Sequence, residues 1–323
     1  MESGDLIRAT RPAMGSSFEI RLGATVPGAI ELATSTLDLI EAIESQLTIY
    51  RDDSEISLLN AVAHERPVPV ESRLLDLLQL ARRIGNETGG AYDLASGALS
   101  LAWGFVRGPR RVPDPTLLSA ARARTGPDCW HLDLERGTVH FDVPGVVLNF
   151  GAIGKGYAVD RAIERIRAHW WPTTALVHGG RSSLFALGSP PGSFGDRWEI
   201  ALRNPFRPES PLGMLRLRNR GLGTSGTEFQ RFEIGGRVYG HILDPRTGSP
   251  ADGPASVTVL APSAAEADAL STAFFLLGRD AGADYIKTHP DVAAVFVEEG
   301  PADGSPRVTA LGLSAADFVR NPG

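Results

Sequence analysis

The feature that most constrains this chain is a run of short strand patterns at residues 174–178, 183–187, 197–202 and 213–218, separated by turns. Parallel neighbours need a crossover of a dozen or more residues, whereas antiparallel neighbours need only a turn. Helical patterns do occur along the chain, but too many strands follow one another directly for pure βαβ winding. The pattern predicts an α+β protein with a mixed, largely antiparallel sheet and packed helices.

Four helices are legible. Ile30, Ala33, Leu37, Ile40, Ile43 and Leu47 recur at helical spacing, as do Leu74, Leu77, Leu78, Ala81 and Ile84 before a stop at Gly89-Gly90. A third helix begins near Gly154 with Val159, Ala162, Ile163 and Ile166 on one face. Ser263 and Glu266 form a capping box that opens a fourth, through about Leu277. Further strands are expected at Ser17–Leu22, 138–143, 146–150, Ser256–Ala261 and Val292–Val297, with an Arg- and Pro-rich surface loop at 107–116. No repeat or low-complexity linker divides the chain, so residues 1–323 are expected to form a single domain with a cleft.

Composition narrows the function classes. A formal net charge of −6 supplies no basic surplus for a polyanion, which argues against nucleic acid. The single cysteine, Cys129, allows neither an intrachain disulfide nor a cysteine-based zinc site, and the seven histidines contain no HExxH. No apolar run is long enough for a membrane span. The N-terminus has neither a signal pattern nor a cysteine for lipid attachment, so a cytoplasmic location is expected, or a periplasmic or membrane-anchored one if a leader has been removed.

Three segments could carry chemistry. Leu148-Asn-Phe-Gly-Ala-Ile-Gly-Lys-Gly-Tyr-Ala-Val-Asp160 reads as a strand, a glycine turn and a helix start. Free N–H groups and a positive helix end there suit an anion, with Lys155 adding charge, although a turn for close packing explains the glycines as well. It is neither GxxxxGK[ST] nor GxGxxG. His241, before the turn Asp244-Pro-Arg-Thr-Gly, is a structural histidine taken alone and a general base if it lies beside a phosphate. Asp268 and Thr272 stand at i and i+4, so their oxygens share one helix face; they could hold a hard cation such as Mg²⁺ or merely form a polar solvent face. A fourth segment, His178-Gly-Gly-Arg181, has a lipase-like look, but no GxSxG elbow accompanies it.

These segments, in this order, resemble the ApbE-like family of FAD:protein FMN transferases. The resemblance rests on MGSSFEI, LTIYRDDSEISLLN, GAYDLASG, LNFGAIGKGYAVD, TSGTEF, HILDPRTG and ADALSTA, from Met14 to Thr272. It implies a T-fold-related architecture with a central flavin cleft. It also implies FAD contacts at Met14, Tyr50, Ala91-Tyr92-Asp93, Asn149, Lys155 and Ile242. Mg²⁺ would be held by Asp268 and Thr272, with Ser271 nearby and the main-chain carbonyl of Ala152. His241 would be the base, and the acceptor a partner flavoprotein with a Thr/Ser motif. Asn149 stands where the family usually has an aspartate, Gly154 where alanine is frequent, and Arg181-Ser182 where an acidic or amide residue is usual. Two other activities would use the same residues: Mg²⁺-dependent FAD pyrophosphatase, with water as nucleophile, and FAD binding without turnover.

Overall fold

The computed structural model describes residues 5–169, 174–190, 193, 196–227, 231–300 and 305–321. At its centre lies an eight-stranded antiparallel sheet. In spatial order the strands are Leu6–Ala13, Ser16–Gly23, Ala175–Gly179, Ser183–Leu187, Arg220–Gly226, Ser256–Ala261, Ala293–Glu298 and Arg307–Leu311. The α+β expectation is met.

Successive side chains on a strand point to opposite faces, and each face of this sheet has its own core. Val177, Phe185, Val257, Val259 and Phe296 join the helices Ala29–Leu47, Gly154–Ala168 and Ala264–Thr288 in the larger core. Leu176, Leu184, Leu222, Leu260 and Val295 face a three-stranded sheet of Trp198–Leu202, Gly213–Leu217 and Phe318–Arg320.

Several expectations need correction. Ile30 is 67% exposed, because the buried stripe of its helix runs through Ala29, Leu32, Ala33, Leu37 and Ile40. Residues 146–150 form no strand beyond a bridge between Val147 and Ser96. Both main-chain groups of Leu148 bond instead to the Asn60 side chain, at 2.9 and 3.1 Å, so an amide does the work of a neighbouring strand. The strand expected at Ser17 is preceded by another, Leu6–Ala13, across the turn Met14–Gly15. Both turn residues have positive φ, 52° and 68°, the form that matches strand twist in a two-residue hairpin. Among its described residues the tail carries three strands, Ala293–Glu298, Arg307–Leu311 and Phe318–Arg320, rather than one.

The segment Arg220–Gly226 was legible only as part of a glycine-rich motif, yet it is an interior strand of the large sheet. A Cβ on Gly223 would stand 2.4 Å from the Ala267 carbonyl oxygen, so a bare strand is needed for the helix to lie this close. The same holds at Gly156, where a Cβ would stand 2.2 Å from the Ala264 carbonyl oxygen. Gly156→Ala is therefore expected to destabilise the fold by about 1–3 kcal/mol through overpacking. A fall in the denaturant midpoint at constant slope checks this; an unchanged midpoint contradicts the close approach.

Candidate active site

The Gly154–Ala168 and Ala264–Thr288 helices cross where Gly156 permits contact, and their polar groups interlock there. Asp268 is 4% exposed. Its Oδ2 accepts the Gly156 N–H at 3.1 Å and lies 4.0 Å from Lys155 Nζ. Its Oδ1 accepts the Ser183 hydroxyl at 3.0 Å. One turn on, Ser225 Oγ lies 3.0 Å from Thr272 Oγ1 and 2.8 Å from Ser271 Oγ, and Ser271 donates to the Asp268 carbonyl at 2.8 Å. Burial raises the Asp268 carboxyl above its ordinary range, while Lys155, the Gly156 N–H and Ser183 pull the other way. The reading of Asp268 and Thr272 as a solvent face is thereby overturned at Asp268. Ala264 to Ser271 are all buried, because this helix is packed between the Lys155 helix and the large sheet.

Asp160, the last residue of the glycine-turn motif, has a role that the sequence did not disclose. Its Oδ1 and Oδ2 accept the N–H groups of Ala264 and Ala265, both at 2.8 Å, beside the usual cap in which Ser263 Oγ accepts the Glu266 N–H at 3.1 Å. One carboxylate on the Lys155 helix thus caps the helix that carries Asp268. The Glu266 side chain does not close the capping box described by the sequence pattern but pairs with Arg83 at 2.6 Å.

Burial pushes the Asp160 carboxyl up to about 7, against the pull of those two N–H groups. An acid whose folded pKa is raised binds a proton on folding between its ordinary value of 3.8 and about 7. Stability should then fall as pH rises through that window, by up to about 1.4 kcal/mol per pH unit. Asp160→Asn should flatten this slope; equal slopes for the two proteins in pH-dependent denaturation would remove the assignment.

The remaining expected residues fall into separate groups, at the glycine turn, the sheet's hairpin end and the Phe105 loop. The Asn149 N–H bonds to the Leu94 carbonyl at 2.8 Å, which joins the glycine turn to the segment Ala91-Tyr92-Asp93. Asn149 Oδ1 accepts the Gly151 N–H at 3.0 Å. Asp93 accepts N–H groups from Ala95 at 3.0 Å and Gly126 at 2.7 Å, so its carboxylate braces a loop. Ala91 and Tyr92 are buried, and among the described residues Tyr92 Oη has no hydrogen-bond partner. Burial, then the charges of Asp93 and Asp268, raise that phenol well above its ordinary value. Ala152 is half-buried against the larger core, in the 3-10 turn Phe150–Ala152.

Met14 lies at the hairpin turn at the same end of the sheet as Ser183, since Gly180 N–H bonds to the Ser17 carbonyl at 3.0 Å. Tyr50 is 63% exposed, its ring uncovered. His241 follows the hairpin Arg231–Ile234 and Arg237–Gly240, with its ring edge-on to Phe105 at 6.5 Å, and Ile242 is buried in the larger core. Arg107, two residues beyond Phe105, pairs with Asp52, two residues beyond Tyr50, so this loop links the His241 and Tyr50 regions. Glu228 and Phe229 of the TSGTEF segment lie outside the described residues.

Sequence reasoning missed Ser183 and Ser225 as well as Asp160. Both serines face the helices from strands, and no sequence pattern marks either for this place. Among the described residues no three His, Cys, Asp or Glu gather into a metal-binding group, and no helix is long and apolar enough to cross a membrane. A cation here would depend on one carboxylate together with hydroxyl, carbonyl and substrate oxygens.

Comparisons with known proteins bear on the family and the fold. A family model described as the ApbE family matches residues 14–296. The chain is 33% identical to the FAD:protein FMN transferase of Treponema pallidum over 87% of its own length and 80% of that protein. It is 29% identical to the Salmonella typhimurium protein of the same name, over 89% and 83%. Among solved structures, the apo form of the Pseudomonas stutzeri flavinyl transferase ApbE superposes with a TM-score of 0.84 at 30% identity, covering 98% of each chain. The flavin transferase ApbE from Vibrio cholerae gives 0.82 at 25% identity, covering 95% of this chain and 97% of that one. With the family model spanning residues 14–296, a relative 33% identical over most of both chains and a closely matching solved fold, this chain belongs to the ApbE family.

Proposed function

We propose that this chain is a Mg²⁺-dependent FAD:protein FMN transferase that moves FMN from FAD to a Thr or Ser hydroxyl of a partner flavoprotein and releases AMP. The observation that carries the reading is the junction of Lys155, Gly156 and Asp268, which brings a cation, a helix end and a carboxylate together, with the Thr272 hydroxyl one helical turn on. The names of the relatives support the substrate and the group transferred.

The donor set suits Mg²⁺. Asp268 is a buried carboxylate whose protonation is favoured by burial, so a hard divalent cation would supply the counter-charge that one lysine at 4.0 Å gives only in part. Asp268 and Thr272 would hold the ion with the Ala152 carbonyl, and Ser271 would fix Asp268's own turn of helix. When bound, the ion supplies neutralisation of charge on the diphosphate.

In the proposed reaction the acceptor oxygen forms a bond to the FMN-side phosphorus, and the bond from that phosphorus to the AMP oxygen breaks. His241 takes the hydroxyl proton, and AMP leaves with the bonding electron pair. Lys155 and the N–H groups of the glycine turn donate to phosphate oxygens as charge shifts toward the leaving group. Met14, Tyr50, Ala91, Tyr92, Asp93, Asn149 and Ile242 would line the FAD site. Tyr50 offers an exposed ring face for stacking, whereas Tyr92 offers a buried hydroxyl. The sheet shared by both cores supports reading the chain as one domain.

The decisive experiment incubates the protein with FAD, Mg²⁺ and a flavoprotein acceptor and weighs the acceptor by mass spectrometry. The expected result is an added FMN phosphoryl group on a Thr or Ser, with one AMP released per group. Release of FMN and AMP at the same rate with or without acceptor, leaving the acceptor unmodified, would establish hydrolysis instead.

A further inference from the structure

A second polar cleft lies on the other face of the large sheet, with a volume of about 420 Å³, within the range of small-ligand sites, roughly 300–1,000 Å³. Arg197, Arg216, Arg218 and Arg220 line it together with Asp196 and Asp317, while Glu199 stands beside Arg216 and Asp291 beside Arg220. Arginine keeps its proton at any physiological pH, so the charge cannot be relieved by titration as a lysine's could.

The cleft is separate from the Asp268 centre. Arg220 and Ser225 lie on one strand, five residues and so about 17 Å apart. Side chains alternate along that strand: Ser225 faces the helices, whereas Arg220 shares its face with Leu222, which belongs to the core beneath the three-stranded sheet.

The arginines are held in place by neighbouring groups, and two of the four have no carboxylate at ion-pair distance among the described residues. Arg197 pairs with Asp317, whose Oδ2 accepts the hydroxyl and N–H of Ser314 at 2.6 and 3.1 Å. Arg216 pairs with Glu199 at 3.1 Å. Arg220 is bonded to main-chain carbonyls, those of Asp291 and, at 3.5 Å, Leu260. Arg218 is exposed, and among the described residues no carboxylate pairs with it or with Arg220. The turn between them is fixed: Asn219 has φ 53°, and its Oδ1 accepts the Gly188 N–H at 2.9 Å. Guanidinium forks anchored by main chain and turn, with donors left over, match the paired oxygens of a phosphate.

We propose that this cleft, built by Arg218 and Arg220 with Arg197 and Arg216, is a second anion site that binds a small phosphoanion of the phosphate-monoester or diphosphate class. The site does not depend on the transferase reading. The test is titration of the full chain with inorganic pyrophosphate by calorimetry, for wild type, Arg218→Ala and Arg218→Glu. Arg218 is exposed, so both variants should fold as wild type does, and neither touches the flavin centre. A lost charge-assisted bond should weaken binding by roughly ten- to a hundredfold in Arg218→Ala, and further in Arg218→Glu. Absence of saturable binding to wild type up to about 10 mM would overturn the proposal. So would affinities for both variants within twofold of wild type, which would place the pyrophosphate elsewhere on the protein.

Discussion

Replacing His241 by alanine is expected to slow FMN transfer by about 10²–10⁴-fold, the usual worth of a positioned general base. FAD affinity should stay within a few-fold of wild type. A neutral hydroxyl attacking a charged diphosphate must shed its proton as the new bond forms, and an imidazole, with an ordinary pKa near 6.5, is suited to receive it near neutral pH. The ring of His241 is half-buried and stands edge-on to Phe105 at 6.5 Å, so its removal leaves no large void in either main core. Single-turnover transfer and equilibrium binding of FAD, measured on the same preparation, separate the two effects. Transfer at the wild-type rate would strip His241 of the role, and a parallel collapse of FAD binding would make it a binding group.

The second large effect is expected at Asp268, where two substitutions divide charge from structure. Asp268→Ala removes the acceptor for the Gly156 N–H and the Ser183 hydroxyl. Each buried donor left unpaired costs about 1–3 kcal/mol, so this variant should lose both stability and activity. Asp268→Asn keeps one acceptor oxygen and nearly the same volume but loses the negative charge. It should fold with a small loss of stability and need at least about tenfold more Mg²⁺ for half-maximal rate, because hard cations rely on anionic oxygen. A metal requirement unchanged in the asparagine variant would exclude Asp268 as a ligand whatever its effect on folding.

The sequence made the sheet legible where apolar and polar residues alternate, as in Ser16–Gly23, or where a short apolar run stands between turns, as in Ser183–Leu187, and the helices where one stripe is apolar. It concealed Arg220–Gly226, because glycines and hydroxyl residues look like a turn. Only the helix lying against Gly223 explains why a bare strand belongs there. Residues 146–150 misled in the opposite sense: their pattern suits a strand, but Asn60 supplies the hydrogen bonds that a partner strand would have given.

For the centre itself, the i, i+4 spacing of Asp268 and Thr272 and the glycine turn with Lys155 were visible as local patterns. Their meeting was not, because contact between residues 156 and 268 is a property of the packed chain. Asp160 escaped for a related reason. An aspartate in mid-helix looks like a surface charge until the next helix is seen to begin against it. Ser183 and Ser225 carry no pattern of their own.

The Asp268 helix is held by Asp160, 104 residues upstream, and by Arg83, 183 residues upstream. No short stretch of polypeptide can therefore assemble this centre alone, and closing such long loops is slow compared with forming a hairpin. During synthesis most of the chain must leave the ribosome before the last partner arrives. A nascent or proteolytically nicked product that ends before Thr272 would contain most of the family's landmarks and yet be inert, so catalytic turnover doubles as a readout of an intact chain.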